Sequence, residues 1–268
     1  DVSVSLLSTD ISEAYRVADS LVKVARKDEH KVKAYMLLAK LYENEGDLNK
    51  SLKNAMLADT ISTAMTNATW QAITSGYLST TFHRLGLLKL ATHYLKKAET
   101  ANDQQLNSKE KTLTKINILH ERAIHSMEVK DFNKAQMDVF SAAQLIIAED
   151  DDDKRAILIK ATNDQLRGII DFHLGNLVQA DSLLNASLSK IGAIESNLQP
   201  YIYRALADVC LETGNTGKAL SYLKQIEPNL KKSNVEDLRI LTYLSWANYF
   251  EKTNNYAKAL EFKVKAQD

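Results

Sequence analysis

Glycine and proline are scarce in this chain, at eight and two of 268 residues. So few special backbone angles disfavour sandwiches, barrels and glycine-rich cofactor loops, all of which need many tight turns. Cysteine occurs once, as Cys210, so neither an internal disulfide nor a CxxC redox or zinc site can form. Long apolar runs are missing too. The longest hold four or five residues, as in Leu145-Ile146-Ile147-Ala148, and a membrane span needs about 20. Nor does one sign of charge dominate, with 34 basic and 34 acidic residues and halves at +3 and −3. Neither half carries the basic footprint of a nucleic-acid surface. Residue 1 is Asp rather than Met, as expected of a processed protein or a cut piece.

Signatures of catalysis are also lacking. The sequence has no GxGxxG, GxxxxGK[ST] or GxSxG, and Gly217-Lys218 has neither the upstream Gly nor the downstream Ser or Thr of a phosphate loop. His120-Glu121-Arg122-Ala123-Ile124-His125 resembles a zinc-protease helix, but its histidines are five apart, about 140° round the axis, where that motif needs four. His83, His93 and His173 offer no compact ligand spacing. The acidic run Glu149–Asp153 lacks the central Gly and terminal Glu of a calcium loop. It reads instead as a loop before a helix over 154–174, with acids favourable at the positive end. Asn67-Ala68-Thr69 and Asn185-Ala186-Ser187 are glycosylation sequons only in a eukaryotic secretory context. No catalytic residue, metal or cofactor is expected.

What the sequence does have is 45% apolar residues and a repeat. The phrase Tyr-Glu-Asn-Glu-Gly-Asp-Leu-Asn-Lys-Ser (42–51) has five partners, at 82–91, 126–135, 171–180, 210–219 and 250–259. Each reads as a helix end, a tight turn and a helix start. The turn residue is Gly46, Gly86, Lys130, Gly175, Gly214 or Asn254, and Gly and Asn accept the left-handed conformation that closes a helix. The next residue is Asp47, Leu87, Asp131, Asn176, Asn215 or Asn255, and five of these six are good N-caps. Seven residues before the turn and five after it, small residues pair as Ala39/Ser51, Ser79/Ala91, Ala123/Ala135, Gly168/Ala180, Ala207/Ala219 and Ala247/Ala259. All twelve are Ala, Ser or Gly, types that make up about a fifth of the chain. Small residues facing across an antiparallel pair let helix axes approach to the short end of ~8–10 Å. Bulk flanks them, with Tyr35, Leu38 and Tyr42 in the first pair and Tyr243, Trp246 and Phe250 in the last. Cys210 falls in the column of Tyr42, Phe82 and Phe250, as a buried small hydrophobe rather than a nucleophile.

This pattern, over about residues 31–268, resembles the tetratricopeptide repeat. The resemblance implies an all-α fold, an α-α superhelix of about six helical hairpins. Turn-to-turn distances of 40, 44, 45, 39 and 40 exceed the family's 34. Longer units are typical of the sensor arrays of bacterial transcription regulators and peptide-responsive regulators, and the family proline appears only as Pro228. One capping helix precedes the array, at about 10–27. It opens on a capping box, Asp10-Ile11-Ser12-Glu13, and shows a stripe of Ala14, Ala18, Leu21, Val22 and Ala25. The last helix, over 256–268, leaves Leu260 and Val264 on a face that a solenoid normally covers. Residues 1–268 are therefore expected to be one domain of a longer chain, or a domain whose C-terminal end docks on something, including a second copy of itself.

The middle of the array is unusual. Columns holding Tyr, Leu, Trp and Phe elsewhere hold Arg122 and Ser126, then Asp164, Arg167 and Asp171. Either these helices are rotated so that the polar residues face water, or the residues pair in an Arg/Asp layer lining a pocket or hinge. Family ligand-facing positions, projected onto the first helix of each hairpin, give Lys33, Lys40, Thr80, His83, Asn117, His120, Gln165, Tyr201, Arg204, Asp208 and Asn248. Tyr201, Arg204 and Asp208 combine aromatic and charged character on one helical face. The family's two-carboxylate clamp is not reproduced, so a chaperone tail is not the expected ligand. The implied function is a non-catalytic protein- or peptide-binding scaffold, the sensor region of a bacterial regulator in cytoplasm or periplasm with an output domain beyond residue 268. The alternative is a free-standing structural adaptor. Direct nucleic-acid binding and a membrane span are not expected of this region.

Overall fold

The structure is a computed structural model that describes residues 11–106, 108–146, 154–192, 198–232 and 236–267. Thirteen α-helices and no strand occur among the described residues. They are α1 Ile11–Val24, α2 Asp28–Asn44, α3 Leu48–Ala64, α4 Ala68–Arg84, α5 Leu88–Asp103, α6 Lys109–Glu128, α7 Phe132–Ile146, α8 Lys154–His173, α9 Leu177–Ile191, α10 Gln199–Glu212, α11 Thr216–Lys232, α12 Glu236–Lys252 and α13 Tyr256–Lys265. No described helix is long and apolar enough to cross a membrane. The all-α hairpin architecture is the one the repeat implies.

The hairpin turns have one chemistry. Gly46, Gly86, Gly175 and Gly214 have φ between 70° and 84°, and Lys130 and Asn254 take the same left-handed conformation at 59° and 58°. At all six, the amide three residues past the helix end bonds back five residues, from Asp47 to Tyr42 O at 2.8 Å through to Asn255 to Phe250 O at 2.8 Å. That is the Schellman closure, and it satisfies carbonyls the helix end leaves open. The donor residue then begins the next helix. Asp47, Asp131, Asn215 and Asn255 accept the amides of Lys50, Lys134, Lys218 and Lys258 at 3.0–3.3 Å. Asn176 instead turns its amide group to Asp171 Oδ1 at 3.1 Å. A seventh turn of this kind joins α3 to α4. Thr66 sits at φ 51°, and Asn67 caps α4 by accepting from Trp70 N at 3.1 Å. The sequon at 67–69 is thus a helix start.

The small-residue column is an interface. Ala39, Ser51, Ser79, Ala91, Ala123, Ala135, Ala180, Ala207 and Ala219 are fully buried, and Ala247 and Ala259 nearly so. A Cβ at Gly168 would stand 2.7 Å from Leu184 Cγ and 3.3 Å from Ala180 O. Only glycine fits there without movement.

The chain forms two compact units, residues 1–122 and 123–268. In the first, Ala14 and Ala18 of α1 pack on Leu37, Leu38 and Leu41 of α2, as expected of a capping helix. Asp10 of the proposed capping box lies outside the described residues, and Glu13 is engaged by Arg16. A polar knot braces α3, α4 and α5. The Asp59 carboxylate accepts from Thr74 and Ser75, both at 3.1 Å, and from Lys97 at 2.7 Å. The second unit is held by large apolar clusters. Leu184, Ile191, Ile202 and Leu206 form one core cluster, and Trp246 stacks on Phe250 and Phe262 in another. Cys210 is buried, and burial pushes its thiol up. On α13, Leu260 and Val264 are exposed at 65% and 48%.

Candidate functional site

Each unit gathers a polar cluster from three successive first helices of its hairpins. In the first unit these are α2, α4 and α6. Glu43, near the end of α2, accepts from Tyr77 Oη at 2.8 Å and from the Arg84 guanidinium, and Ser51 donates to Tyr77 at 2.9 Å. Burial, then the neighbouring Glu43 charge, raises the Tyr77 phenol and keeps it a donor. Glu121, from α6, faces Thr80, His83 and Arg84 of α4. Burial holds its carboxyl above the usual carboxylate range, with the Thr80 hydroxyl, His83 and Arg84 pulling the other way and Glu43 adding to the rise. Its Oε2 is buried and has no hydrogen-bond partner among the described residues.

In the second unit the helices are α8, α10 and α12. Arg204 donates Nη1 to Asp208 Oδ2 at 2.6 Å, one turn along α10, and each side chain is 15% exposed. Burial raises the Asp208 carboxyl, while Arg204, a hydrogen bond with Ser245 of α12 and His173 lower it. His173 closes α8, stacked on Phe132 at 4.7 Å between ring centroids. Burial and the Arg204 charge hold its imidazole below the usual range.

Four of the sequence-predicted ligand positions therefore meet in these clusters, Thr80 and His83 in one and Arg204 and Asp208 in the other. Lys33 lies ten residues before Glu43, about 15 Å along α2, where it pairs with Glu29 at 3.0 Å and sits over Trp70. Lys40 and Asn117 are exposed, and Tyr201 and Asn248 half-buried. His120 and Gln165 are only 4% and 6% exposed, because both side chains turn into the packing between helices. The projection missed Glu43, Tyr77, Arg84, Glu121, His173 and Ser245.

The polar residues of the long middle hairpins have separate partners. Arg122 donates to Glu99 at 3.0 Å, Lys190 to Asp164 at 2.7 Å, and Asp171 accepts from Asn176. Arg167 and Asp171 line an open groove of about 280 Å³ between α7 and α8, together with Met137 and Phe140. No group of three or more His, Cys, Asp or Glu that could hold a metal occurs among the described residues. The acidic run 149–153 lies outside them.

No family model matches the sequence, and no curated protein matches it. Among solved structures the chain is similar to NprR in complex with its cognate peptide NprX, with a TM-score of 0.70 and 17% identity over 99% of this chain and 76% of that one. It is similar to a Rap protein complexed with competence and sporulation factor, at TM-score 0.67 and 10% identity over 96% and 78%. The apo form of the quorum sensor NprR from B. thuringiensis matches at TM-score 0.62 and 14% identity over 99% and 85%. At these identities the likeness is one of fold.

Proposed function

We propose, taking as premise that the chain is a tetratricopeptide-like array, that it is a non-catalytic module binding a peptide or an extended protein segment along the first helices of its hairpins. The setting we infer is the sensor region of a bacterial regulator, with residues 1–268 one domain that passes binding to an output domain elsewhere in the protein. One observation carries this reading. Each unit holds a cluster of partly or wholly buried polar side chains contributed by three successive first helices, most of them ionisable, where hairpin packing alone asks for apolar residues. Buried charges are poor stabilisers, so their placement suits recognition better than folding. The complex of NprR with its cognate peptide, built on the same fold, supports the ligand class.

The test is selection of peptides from a random display library on the 268-residue chain, followed by hydrogen exchange with an enriched peptide. Protection is expected on α2, α4 and α6 or on α8, α10 and α12, and Arg204→Ala is expected to weaken binding at the latter. No enrichment, or protection confined to second helices, sinks the proposal. A free-standing adaptor is the second reading, favoured by the exposed Leu260 and Val264 of α13. It predicts a stable protein contact or a homodimer at that helix, abolished by Leu260→Glu in a light-scattering mass measurement.

A further inference from the structure

The first-unit cluster has an imbalance that packing does not explain. Two carboxylates, Glu43 and Glu121, stand near the Arg84 guanidinium, and Arg84 bonds Glu43. Tyr77 also serves Glu43. Glu121 has the Thr80 hydroxyl and the fields of His83 and Arg84, yet one of its oxygens lacks any hydrogen-bond donor among the described residues. Its neighbour Arg122 is turned to Glu99 of α5 at 3.0 Å. Glu121 is half-buried as a residue, while its Oε2 is buried.

We propose that the Glu121 carboxylate, set on α6 between Glu43 of α2 and Arg84 of α4, is the seat for a cationic group of the ligand, an ammonium or a guanidinium carried by a peptide. An anion is disfavoured, since Glu43 already bonds Nη1 of Arg84 and the charges of Glu43 and Glu121 would repel it. A cation supplies the missing charge and a donor for the open oxygen, and charge-assisted bonds of this kind are about twice as strong as neutral ones. Without such a ligand, burial favours the protonated carboxyl; the incoming cation replaces that proton. Binding therefore releases a proton and tightens as pH rises from the ordinary glutamate range. Among the described residues, Glu43 on α2 and His83 and Arg84 on α4 are charged or titratable groups that act on Glu121. Of these, Arg84 opposes the cation, and Glu43 favours it.

This inference rests on the peptide-binding reading, and the experiment separates the two. The 268-residue chain, labelled with ¹³C at glutamate carboxyls, is titrated with Nα-acetyl-argininamide, with glycinamide and with Nα-acetyl-citrullinamide. The first offers only a guanidinium, the second only an ammonium, the third the arginine shape without charge. The Glu121 signal, assigned by its loss in Glu121→Gln, is expected to move saturably with one or both cations and not with the citrulline analogue, and Glu121→Gln is expected to bind the effective cation at least tenfold more weakly. Equal shifts from arginine and citrulline probes, no shift with either cation, or undiminished binding by Glu121→Gln overturns the proposal. Should that variant fail to fold, the wild-type signal still decides, with Glu121→Asp for assignment. Library peptides that bind but carry no enriched Arg, Lys or free amine would leave the peptide reading standing and remove this subsite. A Glu121-dependent cation response without any enriched peptide would do the reverse.

Discussion

The two units use the same hairpin and different adhesives. In residues 1–122, helices from different hairpins are tied by hydrogen bonds that cross long stretches of chain, Glu43 to Tyr77 and Arg84, and Asp59 to Thr74, Ser75 and Lys97. In residues 123–268 the Arg204–Asp208 pair stays on one helix, α12 reaches α10 through Ser245 with Asp208 and Lys252 with Glu212 at 3.4 Å, and much of the cohesion comes from aliphatic clusters and the Trp246, Phe250 and Phe262 stack. The small-residue seam fixes how closely two helices of a hairpin approach and leaves open what joins one hairpin to the next. Polar ties set direction and register; apolar stacks supply more stabilisation from burial, about 25 cal/mol per Å².

One tryptophan stands in each unit, Trp70 in the first and Trp246 in the second, so single-tryptophan variants read the units separately. The largest expected effect is at the seam. Gly168→Val should destabilise by ~1–3 kcal/mol through overpacking against Leu184 and Ala180, measured as a lowered urea midpoint of the Trp246 signal. A neutral result would show that the seam yields. Next comes Asp59→Ala, which removes the shared acceptor of Thr74, Ser75 and Lys97, leaving Thr74 its bond to Trp70 O and Lys97 its bond to Thr63, and should cost ~1–2 kcal/mol in the Trp70 transition. Coincident Trp70 and Trp246 transitions in the parent would support residues 1–268 as one cooperative domain, and separated ones two.

The smallest effect is a pair of opposed pH dependences. Glu121 is raised above its ordinary 4.5, so its contribution is present below that value and lost as pH rises through the folded pKa. Glu121→Gln should therefore stabilise the first unit more at pH 8 than at pH 4. His173 is lowered from 6.5, so its contribution is present above 6.5 and lost as pH falls through the folded pKa. His173→Phe should help the second unit more at pH 5 than at pH 8. Matching signs in the two units would break the comparison.

Turns and seam were legible in the sequence because local physics restricts the residue at each place. A left-handed turn selects Gly or Asn, and closely spaced axes select Ala, Ser or Gly. The Thr66 turn escaped because a β-branched residue at positive φ is rare. The polar clusters were half legible. Glu43 stands three residues before Gly46 as His83 stands three before Gly86, so carrying that column back one hairpin would have found it. Arg84 and His173 each stand two before a turn glycine, one residue off the projected columns, where helical rotation moves a side chain by about 100°. For Arg122, Asp164 and Asp171, periodicity could say only that they break the apolar pattern. Their partners come from another helix or from the turn that follows, 23, 26 and 5 residues away.

The residue after each turn serves two helices at once, donating its amide to the helix that ends and, where it is Asp47, Asp131, Asn215 or Asn255, lending its side chain to the helix that begins. Such a joint has no slack. An inserted residue there would open the carbonyl of one helix and the amides of the next together, so the array has to change length somewhere else. It does so where α6 and α8 run to 20 residues against 17 for α2 and α4. Turn spacing can then drift between 39 and 45 residues while every hairpin keeps the same corner. The corner works like a hinge pin of fixed gauge, and variety accumulates in the arms it joins.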